Sequence, residues 1–155
     1  MILHLIGHLQ KNKVRKAVNL YDYIQTVDSL SLAKRINIIA QEENKIQKIF
    51  LQINIGNIDN RHGFLTKEIE TAGNIINLYK NISIEGIMII PPIEKDKKTY
   101  ISYFKEAKKI QTKIEGNIKT CTKLSMGMTG DYVEAIEQGA THIRIGTALF
   151  GDRKK

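Results

Sequence analysis

The segment His142-Ile143-Arg144-Ile145-Gly146-Thr147-Ala148-Leu149-Phe150-Gly151 carries the residue types best suited to chemistry. A short alternating run ends in Gly-Thr and passes into helix-forming residues. Backbone N–H groups at such a start, beside a glycine that permits close approach, suit an anion. The preceding Leu124-Ser125-Met126-Gly127-Met128 adds the hydroxyl of Ser125 as a further donor at the same end. The spacing also fits a strand followed by a tight turn, with Ser125 a simple turn residue. Arg144 is flanked by Ile143 and Ile145 in what reads as a buried strand, where an unpaired charge is costly. Its partner is either an internal carboxylate or a ligand, and acidic residues are sparse in the strand-like runs.

The remaining reactive side chains give weaker patterns. His4, His8, His62 and His142 lack the close spacing of a metal site on one helix face, and structural roles are expected of them rather than metal binding. Cys121 is the single cysteine, which excludes an intramolecular disulfide and reads as a small buried residue. No catalytic residue is assigned.

The elements that must position these residues alternate strictly. Strands are expected at Leu3–Gly7, Tyr23–Val27, Ile49–Ile55, Ile84–Ile90, Thr122–Met126 and His142–Gly146. Helices are expected over His8–Val18, after an Asp28 or Ser29 cap, over Leu65–Tyr79, after Pro91-Pro92, and from Thr129 or Asp131 to Gly139. This alternation predicts a parallel sheet with helices packed outside. In Ile49–Ile55, one face is Ile49, Leu51, Ile53 and Ile55, and the other is Phe50, Gln52 and Asn54. Leu3 and Leu5 oppose His4 and Ile6, and Ile143 and Ile145 oppose His142, Arg144 and Gly146. One apolar and one polar face favour a barrel interior over an open doubly wound sheet. Barrel phosphate sites often use the loops after the last two strands and a short extra helix. The expected fold class is therefore α/β: an incomplete TIM-type (β/α) barrel of about six parallel strands, forming one domain over residues 1–155.

The bulk numbers agree. The 155 residues suit one domain, and 42% hydrophobic and 26% charged residues are ordinary for a globular chain. The formal net charge of +8 is mostly scattered lysine. Clusters occur only at Lys95, Lys97 and Lys98, at Lys108 and Lys109, and at Lys154 and Lys155. No aromatic residues interleave with them, so solvated faces are expected rather than nucleic-acid binding. No apolar run approaches a membrane span, and the first residues do not read as a signal peptide, so the cytoplasm is the expected location.

Several segments together resemble the YggS/PROSC family of pyridoxal 5′-phosphate (PLP) homeostasis proteins, which share the alanine racemase barrel fold. They are Ile6-Gly7-His8-Leu9-Gln10-Lys11-Asn12-Lys13, Thr26-Val27-Asp28-Ser29-Leu30, Phe50-Leu51-Gln52-Ile53-Asn54, His62-Gly63, Glu85-Gly86-Ile87-Met88, Leu124-Ser125-Met126-Gly127-Met128 and Arg144 to Gly151. The resemblance implies that Gly146, Thr147 and Ser125 bind the cofactor phosphate and that Arg144 faces the pyridine nitrogen. Met88 and Asn54 are implied to line the pocket. It implies no robust catalytic activity, but a role in holding and distributing PLP.

One departure stands out. The family carries its cofactor-linking lysine on a first strand resembling Ala-Val-Ser-Lys, ahead of the point that matches the start of this sequence, and no lysine here corresponds to it. Lys11 and Lys13 fall in a later helix. The barrel is expected to lack its first two βα units, and any PLP to bind non-covalently. The leading expectation is a truncated, non-enzymatic PLP homeostasis protein, otherwise monomeric. The alternatives are part of a split racemase-like enzyme, with a separate polypeptide supplying the missing units, or a barrel remnant without function.

Overall fold

The computed structural model describes residues 1–93 and 96–151, so Lys95, Lys154 and Lys155 lie outside the described residues. Seven strands form one sheet in which every pairing is parallel. They are β1 (His4–Leu5), β2 (Tyr23–Val27), β3 (Gln47–Asn54), β4 (Phe64–Leu65), β5 (Ile82–Ile89), β6 (Lys123–Met128) and β7 (His142–Arg144). The order is β1-β2-β3-β5-β6-β7, and β4 pairs with β3 at Ile53 and Asn54, beyond the point where β2 ends. Helices α1 (Val14–Leu20), α2 (Leu30–Glu42), α3 (Ile69–Asn77), α4 (Lys97–Asn117) and α5 (Tyr132–Glu137) connect the strands, and α6 (Thr147–Phe150) follows β7. The result is a half-barrel with helices on its outside, as the alternation predicts.

The core lies between sheet and helices. Ile49, Leu51, Ile53 and Ile55 face the helices and join one cluster with Leu32, Ile36 and Ile39 of α2, Ile76 of α3 and Phe104 of α4. Phe50 and Met88 are equally buried but stand apart from that cluster, on the inner face. There the rings of four strands meet: His4 stacks on Tyr23 at 4.4 Å, and His142 lies 5.6 Å from His4 and 5.4 Å from Phe50. Contact between rings of the first and last strands shows how strongly the sheet curls. Among the described residues neither β1 nor β7 has a second neighbour in the sheet, so the curl stays open.

Local chemistry sets the element ends. Ser29 caps α2 by accepting the Leu32 N–H, and Asp96 caps α4 by accepting the Lys98 N–H. Lys45 closes the far end of α1 by donating to the Val18 and Tyr21 carbonyls, at 2.6 and 2.8 Å. Three expectations need correction. The helix expected from Leu65 begins at Ile69, because Phe64 and Leu65 add a short strand and Thr66 is held by Asn57. The region from His8 to Val18 starts as a single 3-10 turn at Lys11–Lys13 before α1. The strand expected to be buried around Arg144 is an edge, and Ile143 is 38% exposed.

Leu51 is fully buried and packs beneath α3 beside Gly73. Leu51→Ala is expected to cost about 2–5 kcal/mol, measured by urea denaturation.

Candidate functional site

Arg144 organises the open end of the half-barrel. Its side chain turns inward from β7, donating to Ser125 Oγ at 2.8 Å and to the Ile89 carbonyl at 2.8 Å. Burial pushes the guanidinium down to about 10, partly offset by Asp131, and it stays charged near neutrality. Among the described residues it makes no carboxylate ion pair, so the internal carboxylate partner is not what the fold supplies.

Ser125 is fully buried and passes the interaction on, donating to Gln25 Oε1 at 2.6 Å. The Gln25 amide nitrogen meets His4 Nδ1 at 2.8 Å. The donors run in one direction, Arg144 to Ser125 to Gln25 to His4, and cross the interior from β7 through β6 and β2 to β1. With Gln25 donating, His4 Nδ1 is the acceptor and the ring is neutral. Burial lowers the His4 pKa, opposed by Asp22, and lowers that of His142, helped by His4 and Lys123.

Above this chain lies a cavity of about 780 Å³, a volume usual for cofactor sites. Ile6 and Ile90 give it apolar walls, and Arg144, Thr129 and Thr147 give it polar groups. The loop Met128–Asp131 is shaped by Asp131, which accepts the Met128 N–H at 2.5 Å. Gly127 precedes it with φ +89, and a Cβ there would stand 2.6 Å from that of Ala135. Glycine thus lets α5 close onto β6 and aims Thr129 at the Gly146 N–H, 3.4 Å away. In α6 the internal bonds begin with the Leu149 N–H donating to the Gly146 carbonyl. The Thr147 and Ala148 amides therefore have no partner inside that turn.

The structure brings together some of the residues singled out by sequence. Arg144, Gly146 and Thr147 line the cavity. Ser125 does not line it: it is fully buried, with its hydroxyl held between Arg144 and Gln25. Met88 is fully buried on the inner face and outside the lining. Asn54 uses both ends of its amide on the backbone of Ile58, at 2.7 and 3.1 Å, and fixes the loop after β3. The sequence reading missed Thr129, Gly130, Gln25 and His4. Alternation along β2 and β1 was a usable signal for the last two.

Residues 1–154 match the model of the alanine racemase N-terminal domain. The chain is 42% identical over 151 residues to the pyridoxal phosphate homeostasis protein of Synechocystis sp., covering 97% of this chain and 69% of that one. The chain belongs to this family. It is 32% identical to the Escherichia coli protein of the same name, of which it spans 64%. Two solved structures of PipY from Synechococcus elongatus superpose on it, one without PLP (TM-score 0.91, 34% identity) and one with PLP bound (TM-score 0.89, 33% identity). Each comparison covers 97% of this chain and 71% of PipY. Alanine racemase of Clostridium difficile shares the fold at TM-score 0.83 and 19% identity. Among family members of about this relatedness, the span matched is about two thirds of the full length.

Cys121 lies outside the site, fully buried, with its thiol pushed up to about 12 by burial and by Glu115, which suits a packing role.

Removing the central hydroxyl strands one donor and one acceptor, so Ser125→Ala is expected to destabilise by about 1–3 kcal/mol in chemical denaturation. Lowered pKa values for His4 and His142 mean that the unfolded chain takes up protons first. Their contribution is present above the ordinary value of 6.5 and is lost as pH falls from there through the folded values. The melting temperature is expected to drop from about pH 7.5 to about pH 5.5, and His142→Gln to flatten that slope.

Proposed function

We propose that this chain binds PLP non-covalently in the cavity above Arg144 and serves PLP homeostasis rather than catalysis. One observation carries the reading: a charged guanidinium is held at a cavity wall by two neutral partners, beside amides and hydroxyls with capacity to spare. Such a wall suits a group that offers acceptors and negative charge.

The residues fit the cofactor. Thr129, Thr147 and the amides that start α6 would hold its phosphate, and Arg144 would meet the ring nitrogen. A Cβ built on Gly146 meets nothing within 4 Å, so the backbone leaves open room on the cavity side. Ser125 acts one step back, as the residue that positions Arg144. When bound, PLP supplies an electron sink, which is weak when its pyridine nitrogen is neutral. Arg144 donates there without releasing a proton, which keeps that nitrogen neutral. A role in the cytoplasm fits the buried, unpaired Cys121.

A second reading rests on the two open edges. The cavity is walled by His4 and Ile6 on the β1 side and by residues 142–147 on the β7 side. Strands added there by another polypeptide would complete the wall and could carry a lysine, giving a racemase-like enzyme. Alanine racemisation that appears only on adding the N-terminal segment of a relative would favour it.

Titration with PLP, followed by absorbance and fluorescence, is expected to show saturable binding. Arg144→Met is expected to weaken it by about ten- to a hundredfold, as loss of a charge-assisted bond predicts. Gly146→Ala is expected to leave the melt unchanged, since its Cβ meets no protein atom within 4 Å, and Gly146→Leu to weaken binding at least about tenfold by filling the room beside the cavity. Borohydride treatment is expected to fix no dominant lysine adduct in mass spectra. A single labelled lysine would overturn the non-covalent mode, and absent binding would overturn the reading.

A further inference from the structure

Three side chains outside the cavity converge at the same end of the sheet. His8 follows β1, Asp28 follows β2 directly, and His62 sits in the loop between β3 and β4. They are twenty and thirty-four residues apart in sequence, yet their ligand atoms lie within 4.8 Å of one another. His8 Nδ1 is 3.4 Å from Asp28 Oδ2, and His62 Nδ1 is 3.3 Å from the same oxygen.

Those distances carry the argument. A charge-assisted N–H···O bond closes to about 2.7–2.9 Å, so neither imidazole makes a good one to Asp28. Four ligands at about 2.0–2.1 Å from a tetrahedral ion stand about 3.3–3.4 Å apart, the edge of the tetrahedron. Both nitrogen–oxygen separations match that edge. The two rings stack at 3.8 Å, tilted by 19°, with both Nδ1 atoms near one oxygen. Because an imidazole binds a metal in its own plane, one of these exposed rings must turn about its Cβ–Cγ bond for both nitrogens to reach one ion. Two imidazolium charges held so close would repel, and a metal takes the neutral ring. Two histidines and one carboxylate form a donor set that zinc accepts, with a fourth position left for water.

The surroundings hold the two histidine-bearing segments in place. Thr26 Oγ1 donates to the Gly7 carbonyl at 2.8 Å and pins the backbone before His8. Gln52 donates to the His62 carbonyl at 3.2 Å. Gly63, at φ +124, presses the loop onto β3 so closely that a Cβ would fall 2.5 Å from the Asn54 nitrogen. The Asp28 side chain is only 11% exposed, whereas His8 and His62 are 44% and 59% exposed, so the carboxylate is sheltered while both imidazoles are reachable.

We propose that His8, Asp28 and His62 form a binding site for a divalent transition-metal ion, zinc by preference, with one open coordination position. The site is independent of PLP binding. It joins three adjacent strand ends, so an ion there would tie together the rim of β1, β2 and β3.

The test uses the full chain, without a histidine tag and stripped of metal, titrated with zinc chloride by calorimetry and with cobalt chloride by visible absorbance. One equivalent of zinc is expected to bind, and the cobalt form to show the intense visible bands of a four-coordinate ion. Zinc at about a hundredfold over Kd is expected to raise the melting temperature by about 5–10 °C. His62→Ala and Asp28→Asn are each expected to weaken binding at least about a hundredfold, while His62→Ala melts as the parent does in chelator because its side chain is exposed. Absence of saturable binding, a pale octahedral cobalt spectrum, a thiolate charge-transfer band from Cys121, or affinity unchanged in both variants would each overturn the proposal.

Discussion

A guanidinium turned into the hollow of a sheet must be given acceptors, and much of this half-barrel's inner face is arranged around that need. Arg144 reaches two neutral oxygens, and one of them, Ser125 Oγ, accepts from it while its own hydrogen is directed away to Gln25 Oε1. Gln25 in turn needs an acceptor for its amide nitrogen and finds it at His4. Each link fixes the orientation of the next, so the Gln25 amide and the His4 tautomer are set by a residue on the opposite side of the sheet. Inside a low-dielectric interior such a chain is strong when complete and costly when broken. It also spans the curl: its middle link, Ser125 to Gln25, joins β6 to β2, which are not neighbours in the hydrogen-bonded ladder.

The chain explains why positive charge is left available. A carboxylate partner would have neutralised Arg144 and closed the wall. Neutral partners satisfy its donors on the inner side without cancelling its charge, and Asp131 is committed to the Met128 amide. The electrostatic demand is thereby directed toward the cavity, where Thr129, Gly146 and Thr147 already converge. A parallel sheet supplies this convergence cheaply, because every strand delivers its C-terminal loop to the same end. The same rule brings His8, Asp28 and His62 together on the other flank.

Much of the fold was legible in the sequence because periodicity reports which face a strand buries. Ile49, Leu51 and Ile53 went to the helices, and Phe50 went to the interior, as alternation predicts. Edge status was legible only through the expectation of two missing βα units, which leaves Leu3–Gly7 and His142–Gly146 as edges; nothing local to His142–Arg144 records how many neighbours it has, and Ile143 is exposed. The brief strand Phe64–Leu65 was hidden by its apolar continuity with α3. In the site, Arg144, Gly146 and Thr147 were legible from the strand-to-turn pattern. The position of the Ser125 hydroxyl was not, because it depends on Gln25, a hundred residues away in sequence. Thr129 lay one residue past the motif that was read, and the histidine–aspartate cluster is invisible to any spacing rule because its members sit on three separate strand ends.

The direction of the hydrogen-bond chain bears on what chemistry this interior can support. Arg144 is only a donor, and even with its pKa lowered to about 10 it keeps its proton near neutrality. Every later link is a neutral group oriented by the one before, and the chain ends on a histidine that burial holds in its neutral form. Protonating His4 Nδ1 would place a hydrogen against the Gln25 amide nitrogen, and restoring order would require flipping that amide and taking away the acceptor of Ser125. The array therefore resists proton movement and favours a fixed pattern of donors. A cavity built on such a base is suited to gripping an acceptor-rich ligand, in keeping with the binding role proposed above.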